Sequence, residues 1–369
     1  SARSDSASAS SGAASRAAGI SLGDANVLLI TVDALRADRL AAYGGDGLTP
    51  AMDALAREGV AFTRAYTPTP HTSYAVSSLL TGKYLRPVLE LAREPTDHPT
   101  LPDLVRRYGF RTAAFYPPAI FYVDAERFRP LADRGYGFEY RKEMFAPAGD
   151  RVAQVEEYLD GLDDERPVFV WVHLFEPHEP YDPPPEFARG DSAEARYNGE
   201  VAYADQAIGE LVRSFRARRP GATVILTADH GEELGDHGGQ FHGSTVYDEQ
   251  VRVPLVWSSP GVVAPGSSDA PVELIDVATT LLAALGIPRD ARMRGDDLGP
   301  LLAGADSIVT EHAFAAVDNE RMITDGRLKV ICEIRAPSCR LYDLVGDPAE
   351  RTNLAEQQPM DEARLREAL

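Results

Sequence analysis

Two carboxylates and a histidine stand where hydrophobic runs of this chain end. "NVLLITVD" (26–33) closes on Asp33, and "ATVILTAD" (222–229) closes on Asp229, with His230 directly after it. Such runs fit strands buried on both faces, and open α/β sheets present their chemistry at strand ends. Two acids delivered to one edge concentrate negative charge, and a divalent cation is the usual compensation. An Asp–Asp–His donor set suits Zn, Mn, Mg or Ca, and its mixed oxygen and nitrogen lean toward the transition metals. Taken singly, Asp33 and Asp229 would each more often be the N-cap of a following helix. The adjacent His230 makes the pair a metal-site candidate.

Histidines and hydroxyls supply the rest of the possible chemistry. Three of the eight histidines, His230, His237 and His242, crowd into "LTADHGEELGDHGGQFHG", where the glycines imply a loop rather than a helix face. "WVHLFEPHEPYDPPP" holds His173 inside a strand, expected to be structural, and His178 at the strand's exit, where a substrate would lie. "TPTPHTSYAVSSLLTGKY" (67–84) brings Thr69, Thr72, Ser73, Ser77 and Ser78 to the head of a helical run. Any of these hydroxyls could be a nucleophile or a helix cap, and local sequence does not choose between the two.

The elements that must position these groups alternate. "NVLLITVD", "RTAAFY" (111–116), "PVFVWVHLF" (167–175), "ATVILTAD" and "VPLVWS" (253–258) read as buried strands. Helical stretches lie between them, at 48–59 with Thr49 as N-cap and Pro50 at N1, at 150–162, at 199–216 and at 274–286. The pattern predicts an α/β fold with a mainly parallel sheet covered on both faces. The tail differs. "RMITDGRLKVICEI" (321–334) reads as a hairpin turning at "DG", so a small antiparallel subdomain is expected over 305–369, packed on a catalytic domain over 23–304. Residues 1–22 begin Ser/Ala-rich and without periodicity, and read as a disordered linker left after removal of a signal peptide, lipid anchor or tag.

With 369 residues and 44% hydrophobic content, the chain can bury a large core. No apolar run is long enough to span a membrane as a helix. A formal charge of −20 argues against nucleic acid and anionic membrane as partners. Cys332 and Cys339 are too few for a structural zinc site; they are either two free thiols or a disulfide, and a disulfide would place the chain in an extracytoplasmic, oxidising compartment.

From about residue 26 to 356 the chain resembles the sulfatases and sulfatase-like hydrolases of the alkaline phosphatase superfamily. The resemblance is carried in order by "NVLLITVDALRADRL", "TPHTSYAVSSLLTGKY", "VHLFEPHEPYDPP", "LTADHGEELGDHG" with "FHGSTVYDE", "VPLVW", "LIDVATTLLAALGI" and "LYDLVGDPAERTNLA". It implies an alkaline-phosphatase-like fold and one divalent metal on Asp33, Asp229, His230 and Thr72. In sulfatases a Cys or Ser opens a C-x-P-x-R motif, is converted to formylglycine, and lies nine residues before the Thr of "LTG". Counting back from Thr81 reaches Thr72, which cannot be so converted, and Tyr74 and Val76 replace the motif's Pro and Arg. The resemblance is therefore to a threonine-nucleophile branch. Where sulfatases place a lysine after the "HGE" loop, this chain has His242.

The expectation is a metal-dependent hydrolase of small anionic phosphate esters, a phosphodiesterase or phosphonate monoester hydrolase, working through a covalent phosphothreonine on Thr72. His178 and His242 would hold oxygens and assist the leaving group. The alternatives are a sulfatase or promiscuous sulfate/phosphate ester hydrolase without formylglycine, a phosphotransferase using the same site, and a non-catalytic binding domain.

Overall fold

The computed structural model describes residues 19–86, 99–306, 311–336 and 338–369. In chain order its strands are β1 (Val27–Val32), β2 (Val60–Phe62), β3 (Ala65–Tyr66), β4 (Arg111–Tyr116), β5 (Tyr140–Glu143), β6 (Val168–Leu174), β7 (Thr223–Ala228), β8 (Arg252–Val253), β9 (Leu255–Ser258), β10 (Gly266–Ser268), β11 (Val272–Glu273), β12 (Ala313–Val317), β13 (Glu320–Thr324), β14 (Leu328–Glu333) and β15 (Cys339–Asp343). Eight of them form one sheet in the order β10-β2-β9-β7-β1-β6-β4-β5. Pairing is parallel except at β9, which runs antiparallel to β7 and β2.

The continuous apolar runs occupy the middle of this sheet, as burial on both faces demands: all of β1, β6 and β7 is buried. Helices Pro50–Glu58, Ala148–Asp160 and Ala193–Arg218 pair with one another or pack on it, and Leu274–Ala284 packs on the helix Thr72–Thr81. The helix expected at 199–216 starts earlier, because Ser192 caps it by accepting the Ala195 N–H at 3.1 Å.

One strand differs from expectation. "VPLVWS" is split at Pro254, with Val253 in a separate small sheet (β11-β3-β8) and Leu255–Ser258 in the central one. Proline has no N–H to give a ladder, so the chain changes sheets there, and the Pro254 carbonyl instead accepts Thr227 Oγ1 at 2.7 Å.

The "DG" hairpin forms β13 and β14, and β12 and β15 complete a four-stranded antiparallel sheet. One face shares a buried cluster with the rest of the chain, Tyr66, Tyr247 and Val251 meeting Ala315, Met322 and Ile331. The other face is covered by the helix Pro359–Ala368 through Leu365. Within the first layer Lys329 is buried between Asp248 (2.8 Å) and Glu350 (3.0 Å). Cys332 and Cys339, paired across β14 and β15, form a disulfide. At the other end of the described chain, Leu22 is buried and its N–H reaches Ala284 O at 2.7 Å; residues 1–18 lie outside the described residues.

Candidate active site

Strand register assembles the centre. β1 lies between β6 and β7, with Val32 opposite Leu174 and Ala228, so the next residues, Asp33 and Asp229, leave the sheet side by side. Ala34 follows at φ 56°, a left-handed conformation that turns the chain at once and aims its N–H at Asp229 Oδ1 (3.3 Å). Both carboxylates are buried, as is His230. His230 Nδ1 lies 2.9 Å from the Gly231 carbonyl, which can only accept, so Nδ1 carries the hydrogen and Nε2 presents a bare lone pair. That nitrogen sits 3.5 Å from Asp33 Oδ1, 3.4 Å from Asp229 Oδ2 and 3.1 Å from Thr72 Oγ1.

Asp33 Oδ1 and Asp229 Oδ2 have no hydrogen-bond partner among the described residues. Two buried, orphaned carboxylate oxygens facing a lone pair are mutually repulsive unless a cation lies between them. The donor set therefore fits a divalent metal, which Asp33, Asp229, His230 and Thr72 would hold.

The charges respond to this crowding. Burial alone would raise the Asp33 pKa, but the charge of His178 and then the hydrogen bond of His173 hold it well below the usual carboxylate range. Asp229 moves the other way, raised by burial and then by the Asp33 charge. Burial, helped by His242, pushes His230 well below an ordinary imidazole, which keeps Nε2 unprotonated.

His173, expected to be structural, touches the centre. Trp171 Nε1 donates to Thr31 Oγ1 (2.9 Å), Thr31 Oγ1 lies 2.7 Å from His173 Nδ1, and His173 Nε2 lies 3.3 Å from Asp33 Oδ2. With the Thr31 hydroxyl proton on Nδ1, Nε2–H is left to orient the carboxylate. The signal was available in the pairing of Thr31 with His173, which a sequence does not display until register is known.

Thr72 is the first residue of the buried helix Thr72–Thr81, with His71 as N-cap. Three neighbouring hydroxyls are committed elsewhere: Ser77 meets Tyr136 Oη at 2.8 Å, Ser78 accepts the Leu85 N–H at 3.0 Å, and Thr81 donates to Ser77 O at 2.6 Å, whereas the Thr69 hydroxyl is buried without a partner among the described residues. Ser73 caps nothing; its hydroxyl is buried without a partner among the described residues.

His178 and His242 flank the centre. His178 Nδ1 donates to the Glu179 carbonyl at 2.7 Å, and His242 Nδ1 faces Glu232 Oε1 at 3.2 Å, which leaves both Nε2 atoms without a hydrogen bond among the described residues. The His242 ring lies 4.2 Å from that of His230 and 5.0 Å from that of His178. Burial opposes charge on His242, but the hydrogen bond and charge of Glu232 outweigh it and lift its pKa to about 9. His178 is also raised, burial being overcome chiefly by the Asp33 charge. Although His178, Glu179 and His242 bring ligating atoms within 4.8 Å, both imidazoles already have Nδ1 on protein oxygens. His237 points elsewhere, stacked on Tyr247 at 3.6 Å and bonded to Glu249 at 2.6 Å.

The loop that carries His242 is organised by acids that pattern reading passed over. Glu233 accepts N–H groups from His237 (3.0 Å) and Gly239 (2.6 Å), and its backbone pairs in both directions with Phe241. Arg36 ties the same loop to the first strand's exit through Asp236 (2.6 Å) and the Glu232 carbonyl (3.1 Å). A side chain at Gly231 would put its Cβ 2.1 Å from Glu249 O, and one at Gly243 would meet the His71 ring at 2.6 Å. Both glycines are thus required by close approach.

An α/β fold of this kind, with these groups gathered at the carboxyl ends of its central strands, defines an ester hydrolase. The family model described as Sulfatase matches residues 25–287, and that described as N-sulphoglucosamine sulphohydrolase, C-terminal, matches 235–369. The chain belongs to the sulfatase family. It is 27% identical to a choline-sulfatase of Rhizobium meliloti, over 93% of this chain and 85% of that one, and 24% identical to an arylsulfatase of Clostridium perfringens, over 91% of each. Its fold is shared with a protein solved with its substrate D-glucosamine-2-N,6-O-disulfate (TM-score 0.79, 17% identity, 94% of this chain and 97% of that one). It is also shared with the phosphonate monoester hydrolase of Agrobacterium radiobacter (TM-score 0.76, 21% identity, 93% and 94%).

Proposed function

We propose that this chain is a metal-dependent hydrolase of small anionic sulfate esters, promiscuous toward phosphate esters, that uses Thr72 as its nucleophile in place of formylglycine. The observation that carries the reading is Thr72 Oγ1 at 3.1 Å from His230 Nε2, beside two orphaned carboxylate oxygens. Family membership and the sulfatase names of its relatives support sulfate esters as substrates. This moves the weight from the phosphate-ester expectation to its alternative.

A bound divalent cation would neutralise the paired carboxylates, lower the pKa of the Thr72 hydroxyl and draw charge from the ester's oxygens. The chain's own groups do the rest. Thr72 stands at a helix N-terminus, where the helix dipole favours an anion. The Thr72 hydroxyl proton passes to solvent as Oγ1 bonds to the sulfur or phosphorus and the ester oxygen's bond to that atom breaks. His242, holding Nδ1–H toward Glu232, protonates the departing alkoxide from Nε2. His178 steadies a second oxygen through its Nε2. Water then cleaves the threonine ester, releasing the oxyanion and restoring the hydroxyl. An acceptor alcohol in place of water would make the same site a transferase.

The phosphoryl reading keeps one specific observation in its favour. A threonine ester has no second hydroxyl through which to expel its anion, so water must attack the transferred atom itself, a step that suits phosphorus. The disulfide supports an extracytoplasmic, oxidising compartment. Among the described residues no helix is long and apolar enough to cross a membrane.

The test compares 4-nitrophenyl sulfate, phosphate, phenylphosphonate and a bis-aryl phosphodiester on one sample, before and after EDTA and after metal is restored. Sulfate turnover that EDTA abolishes and metal restores is expected. Phosphorus esters cleaved with no sulfate turnover would favour the phosphoryl reading, and metal-independent turnover would refute the site.

A further inference from the structure

A ladder of rings runs from the buried centre to the surface. His230 meets His242 at 4.2 Å, His242 meets His178 at 5.0 Å, His178 stacks on Phe175 at 4.6 Å, and Phe175 meets Phe145 edge-on at 5.5 Å. It ends in solvent, with Phe145 57% exposed. The exposure is built in. Buried Arg151 holds the Met144 carbonyl, and the Glu176 carboxylate accepts the Ala148 N–H at 3.1 Å, so the backbone is clamped on both sides of Phe145. An exposed phenylalanine is thus held on a clamped loop, in line with the candidate acid and oxygen-binding histidines, where its ring face can meet a ligand.

Cationic histidines form the inner part of the ladder, and carboxylates lie beside its outer part. Glu179 Oε2 pairs with His178 Nδ1 at 3.1 Å and lies 3.9 Å from His242 Nδ1, whereas Glu176 Oε2, next to Phe175, has no hydrogen-bond partner among the described residues. Arg151 is occupied by Met144 and by Gln154 at 2.8 Å. A second anionic group carried on a leaving alcohol would meet carboxylates here.

We propose that Phe175 and Phe145, continuing from His178, form the leaving-group subsite, and that it takes an alcohol with a flat apolar face and no negative charge. The inference rests on the Thr72 centre described above. The flat face can come from an aryl ring or from the apolar face of a sugar, and these are separated experimentally.

The experiment measures binding by calorimetry to metal-loaded protein, so that it does not depend on turnover. The probes are inorganic phosphate, methylphosphonate, phenylphosphonate, 4-carboxyphenylphosphonate and glucose 6-phosphate. Phenylphosphonate should bind about tenfold more tightly than methylphosphonate, and the 4-carboxy derivative should lose that gain. Phe145→Ala and Phe175→Leu should each remove most of the phenyl preference while leaving inorganic phosphate binding unchanged. Tighter binding of glucose 6-phosphate than of phenylphosphonate, lost in the same variants, assigns the face to a sugar; the reverse order assigns it to an aryl ring. Phosphate binding with no phenyl or sugar preference, or a preference that both variants retain, overturns the subsite and leaves the Thr72 centre standing. Wild-type protein that binds none of the oxyanions overturns both.

Discussion

At the scale of single residues, each site group is defined by what its second atom touches. His230 can offer Nε2 because Gly231 O holds Nδ1–H, and Asp33 can offer Oδ1 because His173 holds Oδ2. Asp229→Ala removes one of the two orphaned oxygens, so elemental analysis of the purified variant should show most of the metal gone; full occupancy would mean that the cation is held elsewhere. Ser73 bears a buried hydroxyl without a partner. Ser73→Ala should therefore keep near-wild-type turnover and leave stability unchanged or raised by up to about 1 kcal/mol, measurable by denaturant unfolding. Glu200 gives a pH effect. Burial first, then the charges of Glu176 and Asp182, push its pKa up to about 7 in the folded chain, above the ordinary 4.5. The folded state then binds the proton more tightly than the unfolded state. The penalty is absent below about pH 4.5, grows as pH rises and is complete above about pH 7. Between pH 4.5 and 8 wild type should lose up to about 3 kcal/mol relative to Glu200→Gln, which still accepts the Asp182 N–H. Parallel stability–pH curves for the two proteins would exclude this.

At the scale of elements, the sequence was most legible where pattern and burial coincide. β4 occupies the expected "RTAAFY" (111–116), and β1 and β7 stop one residue before the expected acids, because a continuous apolar run marks a strand buried on both faces and a charged residue ends it. The first-strand acid and the Asp229–His230 pair were readable for that reason, whereas Thr72 was reached only through the spacing to Thr81 that the family resemblance implies. What was not readable depends on pairing between distant segments. His173 beside Asp33, Glu233 inside its own loop and the sheet change at Pro254 follow from neighbours that no local window contains. The junction of the C-terminal sheet is of the same kind. Buried Lys329 is held charged, with a pKa above its ordinary value: burial opposes the charge, and Asp248 and Glu350 outweigh it. Lys329→Met strands both carboxylates, so urea unfolding should show about 3–5 kcal/mol of lost stability. A loss below about 1 kcal/mol would mean that the pair is not structurally coupled to the lysine.

At the scale of the molecule, a parallel sheet collects acids and histidines at one edge, and a buried helix brings a threonine hydroxyl to the same point. The fold class was legible because strands and helices alternate along the chain, and the antiparallel tail because "DG" marks its hairpin. The transferred group was not legible to the same degree. It depends on the nucleophile, proposed above to be Thr72, and on side chains around the mouth, not on the scaffold. The central claim is that Thr72 becomes covalently attached to the group it removes. Wild-type, metal-loaded protein mixed with an aryl sulfate or aryl phosphate should be quenched in acid within a turnover and its peptides mapped by mass. The sulfuryl or phosphoryl group should be found on Thr72, and Thr72→Ala should lose at least about a thousandfold in turnover. An adduct on Ser73, or a Thr72→Ala enzyme that keeps most of its rate, would contradict the account.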